Sequence, residues 1–271
     1  MGIKFITTGS LTLAYIEKNT AAPKTIFFIH GNSGSSRIWQ KQFNSNQFDN
    51  YRCIAIDLPG CGNSVIDKKV NWDYSPVSTG KIIEAAINEL HQGNPFGIVG
   101  FSYGSNVVAE SLRFYLAPGA VSLLSSCVVG AHYGLDKVFM PGDFIFFHDE
   151  VKENVVRNFF ASVLISPSEN DISVNAEDFF KARPPFRSAL IKSVGEGKLT
   201  DEIAVLKKMN LPVQVIFGKE DSLLQIDYLD GQPFPFWRNN VFKLPGAGHF
   251  VHNDQSETLN NLLSEYLGEL L

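Results

Sequence analysis

Thr25–Ile29, Arg52–Ile56 and Phe96–Phe101 are short, apolar nearly throughout and bounded by polar or turn-forming residues. Runs of this length with no polar face read as strands buried on both sides of a sheet. Between the last two, Val77–Leu90 places Ile82, Ile83, Ala86, Ile87 and Leu90 along one helical face. A second helical pattern, Ser105–Leu116, is stopped by Pro118-Gly119, and Ala120–Val129 reads as a further strand. Upstream, Leu11–Glu17 alternates like a half-exposed strand. Strands that alternate with helices need crossover connections, so the expected class is α/β, with a mostly parallel sheet and helices on both faces.

That rhythm breaks near Gly130. From about 131 to 208 the pattern turns helical, with Phe-rich pieces at Phe139–Phe147 and Val155–Leu164 and a break at Pro184-Pro185. Strand patterns then resume at Val213–Phe217 and Val241–Leu244, and Asn253–Leu271 forms an amphipathic closing helix. The expected organisation is a core of residues 1–130 and 209–271 interrupted by an insertion at 131–208.

Composition narrows the function classes. The chain has 271 residues, 44% of them hydrophobic and 19% charged, with a net charge of −5, which excludes disordered and collagen-like classes. No Lys/Arg run exceeds two residues, so neither nucleic acid nor an anionic membrane is an expected partner. No stretch approaches the ~18 apolar residues of a membrane span, and Met1–Thr7 carries no basic segment ahead of an apolar one. The three cysteines, Cys53, Cys61 and Cys127, lack metal-ligand spacing, so a reduced cytoplasm is the expected setting and no metal is expected.

Gly100-Phe101-Ser102-Tyr103-Gly104 ends one apolar run and opens a helix. A serine in such a strand-to-helix turn is held in a strained backbone, and the flanking glycines let neighbouring chain pass closely. Its hydroxyl needs a base, and the base needs an orienting carboxylate. Of the six histidines, His249 lies in the small-residue loop Pro245–His249 after a strand, at the sheet edge where Ser102 is expected. His252 is the nearby rival, better read as a polar residue at a helix start. His91 ends a surface helix, His132 and His148 fall in the insertion, and His30 at a strand end is placed to brace a loop. Gly218-Lys219-Glu220-Asp221 follows Val213–Phe217 and offers the carboxylate, with Asp221 preferred over Glu220. Asp221 also suits a turn cap, and one residue can do both jobs. The backbone N–H groups of Tyr103 and Asn32 are the candidate donors to a reaction oxyanion.

These residues resemble the α/β-hydrolase superfamily. His30-Gly31-Asn32 is similar to its oxyanion loop, Asp57–Ser64 to its D-x-P-G-x-G-x-S segment, Gly100–Gly104 to its nucleophile elbow, and Gly248-His249 to its histidine loop. The chain departs from the family's pattern at Gln225, Asp254 and Ser256, where members often carry Pro, Glu and Pro. The resemblance implies an eight-stranded sheet flanked by helices, with a helical lid inserted after the sixth strand. It also implies a serine hydrolase of carboxylic esters or lactones, with no cofactor and with Ser102, Asp221 and His249 as catalytic residues. His30–Ser33, Gly218–Asp221, Ile226–Tyr228 and Trp237 most resemble the α/β-hydrolase-type N-acyl-homoserine lactonases. On that reading the small-molecule substrate lies against lid phenylalanines such as Phe139, Phe144, Phe159 and Phe160, whose other reading is packing of the lid onto the core. Two alternatives stay open. A proline-iminopeptidase-like enzyme would use acidic lid residues (Glu150, Glu153, Glu169, Asp171, Glu177, Asp178) to hold an amine, and a receptor would keep the pocket without turnover.

Overall fold

The computed structural model describes residues 1–67, 69–114, 116–131, 134–232 and 235–271. Eight strands form one sheet: β1 (Lys4–Thr8), β2 (Leu11–Lys18), β3 (Thr25–Ile29), β4 (Arg52–Ile56), β5 (Phe96–Phe101), β6 (Ala120–Leu124), β7 (Val213–Gly218) and β8 (Phe236–Leu244). Their spatial order is β1-β2-β4-β3-β5-β6-β7-β8. The β1–β2 and β2–β4 pairs are antiparallel and the rest parallel, with Phe27 of β3 level with Ile54 of β4 and Ile98 of β5.

The apolar runs are central because they have no solvent face to offer. Every residue of β3, β4, β5, β6 and β7 is buried. Successive side chains point to opposite faces: Phe28 packs on Trp39, Phe43 and Phe48, while Phe27 meets Phe96 edge-on. Helices flank the sheet. α1 (Pro76–Leu90) starts at the Ser75 cap and crosses α2 (Tyr103–Ser111) so closely that a Cβ on Gly80 would sit 2.5 Å from Glu110 Cβ. The closing helix, here α7 (Ser256–Leu270), buries Leu259, Leu263, Tyr266 and Leu267, each apolar side chain contributing about 1.5–3 kcal/mol. The Tyr266 hydroxyl accepts from Val121 N–H at 2.9 Å and lies within hydrogen-bond distance of Val121 O and Pro212 O, tying α7 to β6 and to the approach to β7.

Between β6 and β7 lie α3 (Glu153–Val163), α4 (Glu169–Lys181), α5 (Phe186–Gly195) and α6 (Glu202–Lys207). α4 is capped by reciprocal Ser168 and Asp171 bonds. Arg187 fastens this segment internally and to the core. Its buried guanidinium donates to the carbonyls of His148, Asp149, Phe179 and Ala182 and to Ser33 Oγ, with the Phe179 ring 4.0 Å away.

The structure differs from the sequence pattern in four places. β1 has no counterpart in it. β6 stops at Leu124, because Ser125 takes φ +42° and turns the chain although Cys127–Val129 remain apolar and buried. β8 begins at Phe236, five residues before the pattern at Val241. Phe139–Phe147 is largely irregular chain, with one 3₁₀ turn at Ile145–Phe147.

Candidate active site

Ser102 joins β5 to α2 at φ +52°, ψ −123°, a conformation that costs an L-residue of order 1–3 kcal/mol. The flanking glycines make the turn possible. A Cβ on Gly100 would lie 2.7 Å from Gly104 O, and one on Gly104 would collide with the carbonyl oxygens of Ile29 and His30. The turn is pinned by Ser102 N–H to Leu124 O (2.9 Å) and by Ser105 Oγ to Ser102 O (2.6 Å). Helix α2 starts directly at Tyr103, so its amino-terminal N–H groups, with their partial positive charge, border the serine.

Ser102, His249 and Asp221 stand in line. His249 Nε2 is 2.9 Å from Ser102 Oγ, and His249 Nδ1 is 2.8 Å from Asp221 Oδ2. The Asp221 side chain is fully buried and that of His249 is 4% exposed. Asp221 Oδ1 accepts from Leu223 N–H (2.8 Å) and Leu224 N–H (3.2 Å), so the carboxylate is both turn cap and histidine partner. Glu220 instead accepts from Gly246 N–H (3.0 Å) and Ala247 N–H (3.2 Å). Asp254 accepts from Gly248 N–H at 2.9 Å, and Ser125 Oγ donates to His249 O at 2.7 Å. Three separate elements thus hold the histidine loop.

His252 does stand at a helix start, as the second residue of the short helix Val251–Asp254, but it is buried. It is 1% exposed, wedged against Phe101 and Trp39, and burial beside His249 pushes its pKa down to about 3. His30 braces the loop after β3: its Nε2 accepts from Leu58 N–H at 2.9 Å and its Nδ1 lies 2.7 Å from Gly31 O, with burial favouring the neutral ring. His91 is half-buried at the end of α1 against Phe96, and His148 pairs with Asp143. His132 lies outside the described residues. Asp57, in the segment Asp57–Ser64, accepts from Ser36 N–H (2.6 Å) and Asn63 N–H (2.8 Å). That segment is a brace for the loop carrying Asn32.

The same loop approaches the serine closely enough that a Cβ on Gly31 would lie 3.1 Å from Ser102 Cβ. Neither Asn32 N–H nor Tyr103 N–H has a protein acceptor among the described residues, so both are free to donate. The Asn32 side chain is occupied: its Nδ2 donates to Phe146 O (3.3 Å) and its Oδ1 accepts from Ser33 Oγ (2.7 Å).

Two cavities flank Ser102 and His249. The larger, about 750 Å³ including its mouth, is walled by Phe139, Phe144, Phe146 and Phe147 with Leu135 and Leu223. The smaller is bordered by Gly31, Phe101, Phe146, Phe160 and Phe250. Phe139 and Phe144 therefore line the larger cavity and Phe160 the smaller. Phe159 lines neither and packs edge-on against Phe146 and Phe160, the packing role that was its other reading. The acidic insertion residues also lie away from both cavities. Glu169 pairs with Arg157, Glu177 with Arg37, and buried Asp178 with Ser35 and Arg37. Among the described residues no group of three or more His, Cys, Asp or Glu is arranged to hold a metal ion, and no helix is long and apolar enough to cross a membrane. The three cysteines are buried free thiols.

Sequence reasoning missed a polar cluster beneath the serine. Cys127 Sγ lies 3.7 Å from Ser102 Oγ. Asn106, one helical turn beyond the serine, donates to Cys127 O and to Glu202, and Glu202 Oε2 also accepts from Val129 N–H at 2.9 Å. The four-residue spacing from Ser102 along α2 was the available signal for Asn106. Glu202 is fully buried, and burial raises its pKa from the ordinary 4.5 to about 8. The folded protein therefore binds a proton that the unfolded chain releases, so stability is full below about pH 4.5 and declines as pH rises towards about 8. Glu202→Gln is expected to flatten the melting temperature across that window. Parallel profiles for wild type and variant would show that Glu202 does not titrate there.

Known proteins share this fold. Residues 26–262 match the model of the Alpha/beta hydrolase family. The chain is 28% identical over 229 residues to the pimeloyl-[acyl-carrier protein] methyl ester esterase of Methylococcus capsulatus, spanning 80% of this chain and 83% of that protein. Among solved structures, N-acyl homoserine lactonase AidH complexed with N-butanoyl homoserine superposes with a TM-score of 0.86 at 19% identity, covering 98% of this chain and 96% of that one. The esterase RhEst1 from Rhodococcus sp. ECU1013 superposes at 0.82 with 18% identity over the whole of both chains. The match runs from β3 to the closing helix, six of the eight strands, and includes the serine, acid and histidine turns; the chain belongs to the alpha/beta hydrolase family.

Proposed function

We propose that this hydrolase cleaves a carboxylic ester or lactone through an acyl-enzyme formed on Ser102. What carries the reading is the continuous hydrogen-bonded line from Ser102 Oγ through His249 to Asp221 (2.9 and 2.8 Å), opening on an apolar cavity. Ser102 Oγ attacks the carbonyl carbon while His249 Nε2 takes its proton. Asp221 holds the Nδ1–H tautomer and stabilises the imidazolium. The N–H groups of Asn32 and Tyr103 donate to the oxyanion. The imidazolium then protonates the departing alkoxide, and His249 as base directs water onto the acyl-enzyme. The helices and irregular chain of 131–208 act as the lid, with Phe139 and Phe144 placed to receive the acyl group.

The apolar lining favours an acyl substrate over the substrate of a proline-iminopeptidase-like enzyme, because among the described residues no acidic side chain borders either cavity to hold an amine. The assembled triad likewise favours turnover over a receptor role. Likeness to the lactonase fold makes N-acyl-homoserine lactones the first candidates. Mass spectrometry of reactions with those lactones and matched open-chain esters is the test. Ring opening adds one water without fragmentation, whereas ester cleavage yields two products. Hydrolysis of at least one of them is expected. Cleavage of a prolyl amide with no turnover of any ester or lactone would overturn the reading.

A further inference from the structure

The side chain of Asn106 projects from α2 into the wall of the larger cavity, with the residue only 6% exposed. Its nitrogen is fully committed, donating to Cys127 O at 2.8 Å and to Glu202 Oε2 at 2.7 Å. The amide cannot be turned over, because its oxygen would then face a backbone carbonyl that can only accept. The oxygen in its present place accepts from no described residue, and it is not among the buried atoms sealed without a partner. It therefore keeps some solvent access, and the larger cavity is the opening that Asn106 lines.

The surroundings make this oxygen informative. The other polar groups at that cavity belong to Asn32, Ser102, Tyr103 and His249, which the proposed reaction already uses, and to Cys127, a weak donor already placed 3.7 Å from Ser102 Oγ. The remaining described lining is apolar, so among the described residues none offers Asn106 Oδ1 a donor there. A carbonyl oxygen held among phenylalanines gains when a ligand donor meets it and loses its hydration when a methylene does. Sites of this kind discriminate strongly against analogues that lack the donor.

Resting on the ester-hydrolase reading, we propose that Asn106 selects substrates whose acyl portion carries a hydrogen-bond donor, N–H or O–H, within a few bonds of the scissile carbonyl. Four residues of helix place Asn106 about 6 Å along α2 from Ser102, which sets that reach. Asn106 is then a specificity residue, and Glu202 and Cys127 O fix which way its amide faces.

Two ester pairs test this in the full-length protein. Methyl N-butanoylglycinate and methyl 4-oxoheptanoate differ by N–H for methylene, and methyl 3-hydroxyheptanoate and methyl heptanoate differ by one hydroxyl. With kcat/KM normalised to hydroxide-catalysed rates, the donor-bearing member of at least one pair is expected to lead by about tenfold or more, and the responding pair identifies the donor. In Asn106→Leu that ratio is expected to fall to about one. A purely structural role for Asn106 would instead slow both members of a pair alike. If the variant does not fold, the wild-type ratios decide alone. Ratios near one in the wild type, or an unchanged ratio in Asn106→Leu, overturn the inference and leave the hydrolase reading standing. No hydrolysis of any of the four esters, or of the lactones tested above, overturns both.

Discussion

Ser102→Ala is expected to lower kcat/KM by about 10³-fold or more on any ester or lactone the wild-type protein turns over, with little change in melting temperature. Removing a triad nucleophile leaves only substrate binding and oxyanion stabilisation. No neighbour can replace the serine. Cys127 Sγ is 3.7 Å from Ser102 Oγ, but burial pushes its thiol pKa well up, so the thiolate that would attack is scarce. Ser125 Oγ is committed to His249 O at 2.7 Å. Stability should hold because, among the described residues, Ser102 Oγ bonds only His249 and, weakly, Cys127. Alanine meets the same unfavourable φ, so the backbone strain is unchanged. Steady-state kinetics and thermal melting of the purified variant check this together. Near-wild-type turnover would remove Ser102 from the chemistry.

Gly218→Ala should be the most damaging single methyl group outside the nucleophile turn. Gly218 ends β7 immediately ahead of the Asp221 turn, and a Cβ there would collide with the carbonyl oxygens of Gly248 and Ala247. Both obstacles are backbone, so no rotamer change relieves them. The histidine loop has nowhere to retreat, because a Cβ on Gly248 would already lie 2.6 Å from Val163 O. Overpacking of this kind costs about 1–3 kcal/mol. The functional loss should exceed the stability loss, because displacing the imidazole by about 1 Å can cost 100-fold in rate. The expected result is a folded protein, several degrees less stable, with at least about 100-fold lower kcat/KM. Wild-type kinetics in this variant would mean that the acid turn and the histidine loop are not rigidly coupled.

What could be read from the sequence followed burial. β3, β4 and β5 were legible residue for residue because a strand buried on both faces is apolar end to end. β1 was not, because an edge strand with Lys4, Phe5 and Thr7 exposed carries too weak an alternation. β8 was read short because Arg238–Asn240 face solvent and Arg238 and Asn239 take positive φ. Ser102, Asp221 and His249 were legible since each sits in a strand-end loop with its own glycine or turn signature. Glu202 and Ser125 left no such mark, and Asn106 left only its four-residue spacing from Ser102. Their placement depends on how α2 and α6 pack against the end of β6, which is fixed by tertiary contacts. The phenylalanines of the insertion were only half legible for the same reason: composition shows that the insertion is aromatic, and packing decides that Phe139 and Phe144 face the larger cavity while Phe159 backs Phe146.

Active-site labelling tests the convergence of these three side chains most directly. Wild-type protein treated with a fluorophosphonate, digested and sequenced by tandem mass spectrometry should carry one phosphonyl adduct, on Ser102, and His249→Ala should lose it. An unmodified protein, an adduct on another serine, or labelling indifferent to His249 would contradict an activated nucleophile at this turn.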